Sequence, residues 1–172
     1  NTGYTKLIRF SRTTSEEFNS ATELLLNQGM KNLILDLRGN GGGYLNAAIA
    51  ICDEFLIKNR LIVYTEGKSQ ARRNNYSTST GELEDINVII IIDQNSASAS
   101  EIVAGAIQDN DRGVIVGRRS FGKGLVQTQL DLSDQSAIRL TTARYYTPTG
   151  RSIQKPYGIG IDYKYCFESG EG

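Results

Sequence analysis

Two short, nearly all-apolar runs, Asn32–Leu37 and Ile86–Asp93, each break off into glycine- or serine-dense sequence and then into a helical period. That order constrains the fold more than any other feature of the chain. Runs of this length and apolarity mark strands covered on both faces, as parallel sheets require. Before them, Tyr4–Phe10 alternates as a strand. From Ser15, Phe18, Ala21, Leu24, Leu25 and Met30 give a helical period, with Gly29 placed to end the helix. The same period returns over Asn46–Leu56 and over Ser100–Asp109, and Leu61–Thr65 and Gly113–Gly117 read as further strands. Leu125–Leu132 and Ala137–Tyr146 alternate like paired antiparallel strands around a turn at Ser133–Ser136. Glu66–Asp85 is polar and reads as an exposed excursion. Strand–helix alternation followed by a β ribbon predicts an α/β domain, with no repeat and no internal boundary.

At 172 residues the chain fits one domain with a sizeable core. Lys+Arg and Asp+Glu balance at 19 each, so no net field recruits nucleic acid or an anionic membrane. Arg72-Arg73 and Arg118-Arg119 are expected on solvated surface. The longest unbroken apolar run, Val88–Ile92, is far short of a membrane span. No charged-then-apolar segment opens these residues, which leaves the compartment open. Cys52 belongs to an apolar helical pattern and is expected to be a small buried hydrophobe. Cys166 lies in a polar tail, and nothing pairs the two.

The chain has no histidine. A serine nucleophile here would need another base, and the candidates are carboxylates and lysine. Ser96-Ala-Ser-Ala-Ser100 stands where the Ile86–Asp93 strand hands over to a helix, a position whose backbone N–H groups suit an oxyanion. The same serines before Glu-Ile-Val-Ala are good capping chemistry, and one can cap while another attacks. Gly117-Arg-Arg-Ser-Phe-Gly-Lys123 has phosphate-loop spacing, but Gly124 stands where magnesium needs Ser or Thr, and a strand follows where that motif needs a helix. Ser120-Phe-Gly-Lys123 also fits S-x-x-K, without the helix start or the later K-T-G of that pattern. Lys123 by itself reads as an exposed turn lysine. The glycines of Arg38–Gly43 form a turn or aim N–H groups into a site, and Asp36 with Arg38 reads as a structural ion pair.

Four blocks in order carry a resemblance: Leu33-Ile-Leu-Asp-Leu-Arg-Gly-Asn-Gly-Gly-Gly43, Ser96-Ala-Ser-Ala-Ser-Glu-Ile102, Val116-Gly-Arg-Arg-Ser-Phe-Gly-Lys-Gly-Leu-Val-Gln127 and Arg144-Tyr-Tyr-Thr-Pro-Thr-Gly-Arg-Ser-Ile-Gln154. From about residue 3 to 157 the chain closely resembles the catalytic domain of the carboxyl-terminal processing (tail-specific) serine peptidases. The resemblance implies a crotonase-like α/β catalytic domain acting as an endopeptidase near protein C-termini, without cofactor or metal. It implies Ser98 as nucleophile, Lys123 as base and Gln127 as the residue that positions the lysine. It also implies oxyanion donors at the N–H of Ala99 and of Gly42 or Gly43. Its expected partners are polypeptides with exposed C-termini, and its expected setting is the bacterial cell envelope, periplasmic or membrane-associated. Members usually carry a PDZ domain upstream; these 172 residues read as the catalytic domain alone, with 158–172 an unassigned tail. The competing class is a non-enzymatic module of the same fold that holds apolar peptides or lipids.

Overall fold

The computed structural model describes residues 1–78 and 81–156. Along the chain run β1 (Thr2–Lys6), α1 (Thr14–Asn27), β2 (Asn32–Asp36), α2 (Leu45–Phe55), β3 (Leu61–Gly67), β4 (Gln70–Tyr76), β5 (Asn87–Ile92), α3 (Ala99–Asp109), β6 (Gly113–Gly117), β7 (Leu125–Asp131) and β8 (Ala137–Tyr146). They build two four-stranded sheets, a parallel one ordered β1-β2-β5-β6 and an antiparallel one ordered β4-β3-β8-β7. The expected α/β domain with a ribbon is the fold observed.

Alternation decides which strand residues enter the core. Leu33 and Leu35 of β2 and Val88 and Ile90 of β5 are buried with Phe18 of α1, Ile51 and Phe55 of α2, and Val103 and Ile107 of α3. Phe18 and Phe55 meet with ring centroids 6.0 Å apart. The intervening residues correct one expectation. Tyr4, Ile34, Ile89 and Val114 stand in one row across the four strands. Ile34 is half-buried, and the other three are 39–59% exposed. The described helices pack on one face of the parallel sheet, so cover on both faces is not seen.

Two further expectations change. The first strand stops at Lys6 rather than Phe10, because the chain then turns to meet the glycine loop. The Phe10 N–H donates to the Gly42 carbonyl, and the Phe10 carbonyl accepts from Tyr44 N–H, both at 2.9 Å. Part of the polar excursion at Glu66–Asp85 is β4, paired antiparallel with β3. Its polar side chains suit an edge strand, whose pairing comes from the backbone, and Arg72 lies 3.6 Å from the centroid of the Tyr64 ring. Arg72, Arg73, Arg118 and Arg119 are exposed, as expected. Cys52 is fully buried, and burial pushes its thiol far above the ordinary range. Cys166 and the rest of the 158–172 tail lie outside the described residues.

Candidate active site

β2 and β5 are parallel neighbours, so the segments that leave their carboxyl ends lie side by side, the usual place for a site in such sheets. From β2 comes the glycine loop 38–43, and from β5 the serine turn 95–98. Asp36, at the end of β2, binds the Arg38 side chain at 3.0 and 2.7 Å and accepts from Tyr4 Oη at 2.7 Å. Arg38 foremost holds that carboxyl far below its usual range. This is the structural ion pair read from the sequence.

The three serines have different fates. Ser96 is fully buried; its Oγ donates to the Leu37 carbonyl at 2.8 Å and accepts from Asp93 N–H at 2.9 Å. Ser100 is also fully buried, with its Oγ donating to the Asn40 carbonyl at 2.9 Å. Both hydroxyls therefore tie the serine turn to the glycine loop. Ser98 alone of the three is open to solvent. It is the N-cap of α3, with φ 55° and ψ −112°, a backbone that swings its side chain out of the helix line.

Sequence reasoning overlooked the residues that hold this arrangement. Asn40 is fully buried, its Nδ2 donating to the Leu7 carbonyl and its Oδ1 accepting from Gly42 N–H, each at 2.9 Å. Asp93 accepts from the N–H groups of Gly39 and Asn95 at 3.0 Å, and the bond from Gly39 foremost holds its carboxyl below the usual range. An Asx residue just before a turn was the available signal for each.

Gly42 sits against the serine turn so closely that a Cβ would lie 2.6 Å from the Ala97 carbonyl oxygen and 2.8 Å from Ser98 Cβ, at φ +96°. Its N–H is committed to Asn40. Among the described residues no hydrogen bond uses the N–H of Gly43 or of Ala99. These two donors are unengaged, one following Ser98 in the chain and the other following Gly42.

Lys123 and Gln127 are exposed, the lysine in the loop before β7 and the glutamine on β7. No hydrogen bond among the described residues joins the side chains of Ser98, Lys123 and Gln127. What joins the two segments is Glu101, 6% exposed in the first turn of α3. Its Oε2 accepts from Ser98 N–H and from Lys123 N–H, both at 2.9 Å, and its Oε1 accepts from Gly122 N–H at 2.7 Å. Glu101 was read only as part of a capping sequence. Ser98-Ala-Ser-Glu101 spells a capping box, and that was the signal for its reach back to Ser98. Its second pair of bonds, to a loop more than 20 residues away, had none. The lysine loop is fixed from the other side by Gly124 N–H donating to Gln154 Oε1 at 3.0 Å and by Lys155 N–H donating to the Gly122 carbonyl at 2.9 Å. Among the described residues no cluster of three or more His, Cys, Asp or Glu could hold a metal.

The parallel sheet thus carries serine and glycine turns at its carboxyl edge, with the loop of Lys123 tied to the serine turn through Glu101. The chain belongs to peptidase family S41, whose model matches residues 1–165. A carboxy-terminal-processing protease of Bartonella bacilliformis is 46% identical over 164 residues, covering 92% of this chain and 37% of that protein. A chloroplastic C-terminal processing peptidase of Tetradesmus obliquus is 38% identical over 160 residues, covering 92% of this chain and 33% of that protein. The solved photosystem II D1 C-terminal processing protease superposes with a TM-score of 0.80 at 37% identity, over 89% of this chain and 39% of that one. The chain thus spans well under half the length of these three relatives.

Proposed function

We propose that this chain is the catalytic domain of a serine endopeptidase that cleaves polypeptides near their C-termini with a Ser98–Lys123 pair. The observation that carries the reading is that Ser98, the one accessible serine of its triplet, and Lys123 bind the same carboxylate oxygen through their backbones. Their two main-chain nitrogens lie within twice 2.9 Å of each other. A lysine side chain rooted so near can bring its amine to the Ser98 hydroxyl, although it points to solvent here.

In the reaction, neutral Lys123 Nζ takes the proton of Ser98 Oγ as the oxygen attacks the scissile carbonyl carbon. The carbonyl oxygen becomes an oxyanion held by the N–H groups of Ala99 and Gly43. Gly43 suits this better than Gly42, whose N–H already serves Asn40. The carbon–nitrogen bond then breaks, the leaving amine takes the proton from Lys123, and water returns Ser98 by the same steps. Only the neutral amine can act as base, so Lys123 must shed its proton before the attack. Gln127 would orient the amine without a charge that stabilises the ammonium.

The names of the relatives support carboxyl-terminal processing as the activity and polypeptides with exposed C-termini as the substrates. An upstream PDZ segment that delivers those termini, and a place in the bacterial cell envelope, belong to the same proposal. Labelling with a diphenyl phosphonate tests it. An adduct on Ser98, lost in Ser98→Ala and kept in Ser96→Ala, is the expected result. An adduct on another serine refutes the assignment, and no adduct at all favours a binding module.

A further inference from the structure

We propose that Glu101 is a positioning residue for catalysis: its buried carboxylate latches the lysine loop to the nucleophile turn and thereby sets the distance between Ser98 and Lys123. The inference rests on the Ser98–Lys123 reading and deepens it. An ordinary capping glutamate bonds only within its own helix start. Glu101 does that through Ser98 N–H, and in addition spans 21 and 22 residues of sequence to Gly122 and Lys123. Among the described residues it faces no cation in an ion pair. Three N–H donors at 2.7–2.9 Å satisfy it instead, and a carboxylate, which accepts through both oxygens, matches them.

The chemistry explains why this side chain should be an acid of this length. Ser98 and Lys123 share one oxygen while Gly122 takes the other. An amide in its place offers one accepting oxygen, and its NH₂ must then confront an N–H donor. A carboxylate shorter by one methylene cannot hold the helix start and reach the lysine loop at once. The bond to Ser98 also withdraws that N–H from any oxyanion, which leaves Ala99 as the donor on the helix side. Elsewhere the lysine loop is secured to Gln154 and Lys155, which belong to a different segment. Apart from Phe121 N–H on the Ser96 carbonyl at 3.0 Å, Glu101 supplies the polar ties between residues 119–124 and the serine turn.

The test is the second-order rate at which a diphenyl phosphonate labels Ser98 in the full chain, measured for wild type, Glu101→Gln, Lys123→Ala and the double variant. A misplacement on the scale of one lost hydrogen bond predicts that Glu101→Gln labels about 10–100-fold more slowly. Because the glutamate acts through the lysine, adding Glu101→Gln to Lys123→Ala should slow labelling no further. An equal slowing in both backgrounds means that Glu101 serves the helix start alone, and overturns the latch. So does wild-type labelling by Glu101→Gln. Fast labelling by Lys123→Ala removes the Ser–Lys reading itself and the latch with it, so the two failures are told apart by which variant shows them. Amide hydrogen exchange in the wild-type chain gives a check independent of any variant's folding. The N–H groups of Ser98, Gly122 and Lys123 should open together and be protected at least tenfold more than the unengaged N–H of Gly43. Exchange of Lys123 N–H as fast as that of Gly43 overturns the latch.

Discussion

The Ser98 side of the candidate site and the Lys123 side are built to different standards. Around Ser98 the supporting side chains are buried and hydrogen-bonded: Ser96, Ser100 and Asn40 are fully buried, and Asp93 ties both loops. Lys123 and Gln127 stand at the root of a ribbon whose outer part, beyond the β3 pairing at Arg144–Tyr146, is held among the described residues by the pairing of β7 with β8. Leu130, Leu132, Ile138 and Leu140 of that ribbon are 44–49% exposed. The difference teaches that geometry on the serine side is set by folding, whereas on the lysine side it is set by a few ties to the main chain. Substitutions on the first side should lose stability and activity together. Those on the second should lose activity alone.

The largest expected effect tests the second half of that statement. Lys123→Ala and Lys123→Arg should each lower kcat/KM at least about 10³-fold, since arginine cannot release its proton. Their melting temperatures should match the wild type, because the side chain is exposed. A drop of several degrees would show the lysine to be structural, and an arginine variant within a few-fold of wild type would end its role as base. Next comes Gly42→Ala, where a Cβ would press on the Ala97 carbonyl at positive φ. It should cost about 1–3 kcal/mol of stability and about 10²-fold in rate through displacement of Ser98. If activity falls with no loss of stability, the serine side is softer than its burial implies.

Smaller again is Ser100→Ala. It removes the hydroxyl bond to Asn40 while the Ala97 N–H still reaches the same carbonyl at 3.0 Å. A cost of about 1 kcal/mol and a few-fold loss of rate are expected, read by denaturant unfolding and peptide cleavage. The smallest effect is in acid. Asp93 has a depressed folded pKa, so its contribution is present above the ordinary carboxyl value of about 4. It is lost as pH falls through the folded value. Below about pH 4, protection of the Gly39 and Asn95 amides against hydrogen exchange should fall in the wild type. Asp93→Asn should abolish that pH step, and a step that persists would place the titrating group elsewhere.

Much of this contrast was legible in the chain, and unevenly so. The strands and helices around the serine turn follow from apolar spacing, which reports burial directly, and Gly113–Gly117 matches β6 end to end. β4 was not legible, because an edge strand stabilised by backbone pairing leaves no apolar trace in Gln70–Tyr76. The open face of the parallel sheet was misread for the opposite reason. Ile34, Ile89 and Val114 are apolar whether or not anything in these residues covers them. Ser98 and Lys123 were singled out by the resemblance, since by themselves the serine triplet also reads as a cap and the lysine as an exposed turn residue. Asn40, Asp93 and Glu101 show their local bonds as Asx-turn and capping patterns, whereas their bonds to Leu7, Gly39 and the lysine loop span long separations that a single-chain pattern does not carry.

One detail of the serine turn bears on how this protein could be improved or spoiled. Ser98 keeps a φ of 55° with ψ −112°, a region that side chains avoid at a cost of roughly 1–3 kcal/mol. Glycine occupies it freely, loses about 0.5–1 kcal/mol in chain entropy and caps a helix almost as well as serine. Ser98→Gly should therefore gain about 1 kcal/mol. Laboratory evolution that selects for heat resistance alone would drift toward loss of this hydroxyl, because its most tempting backbone repair lies at the serine that the proposed chemistry uses.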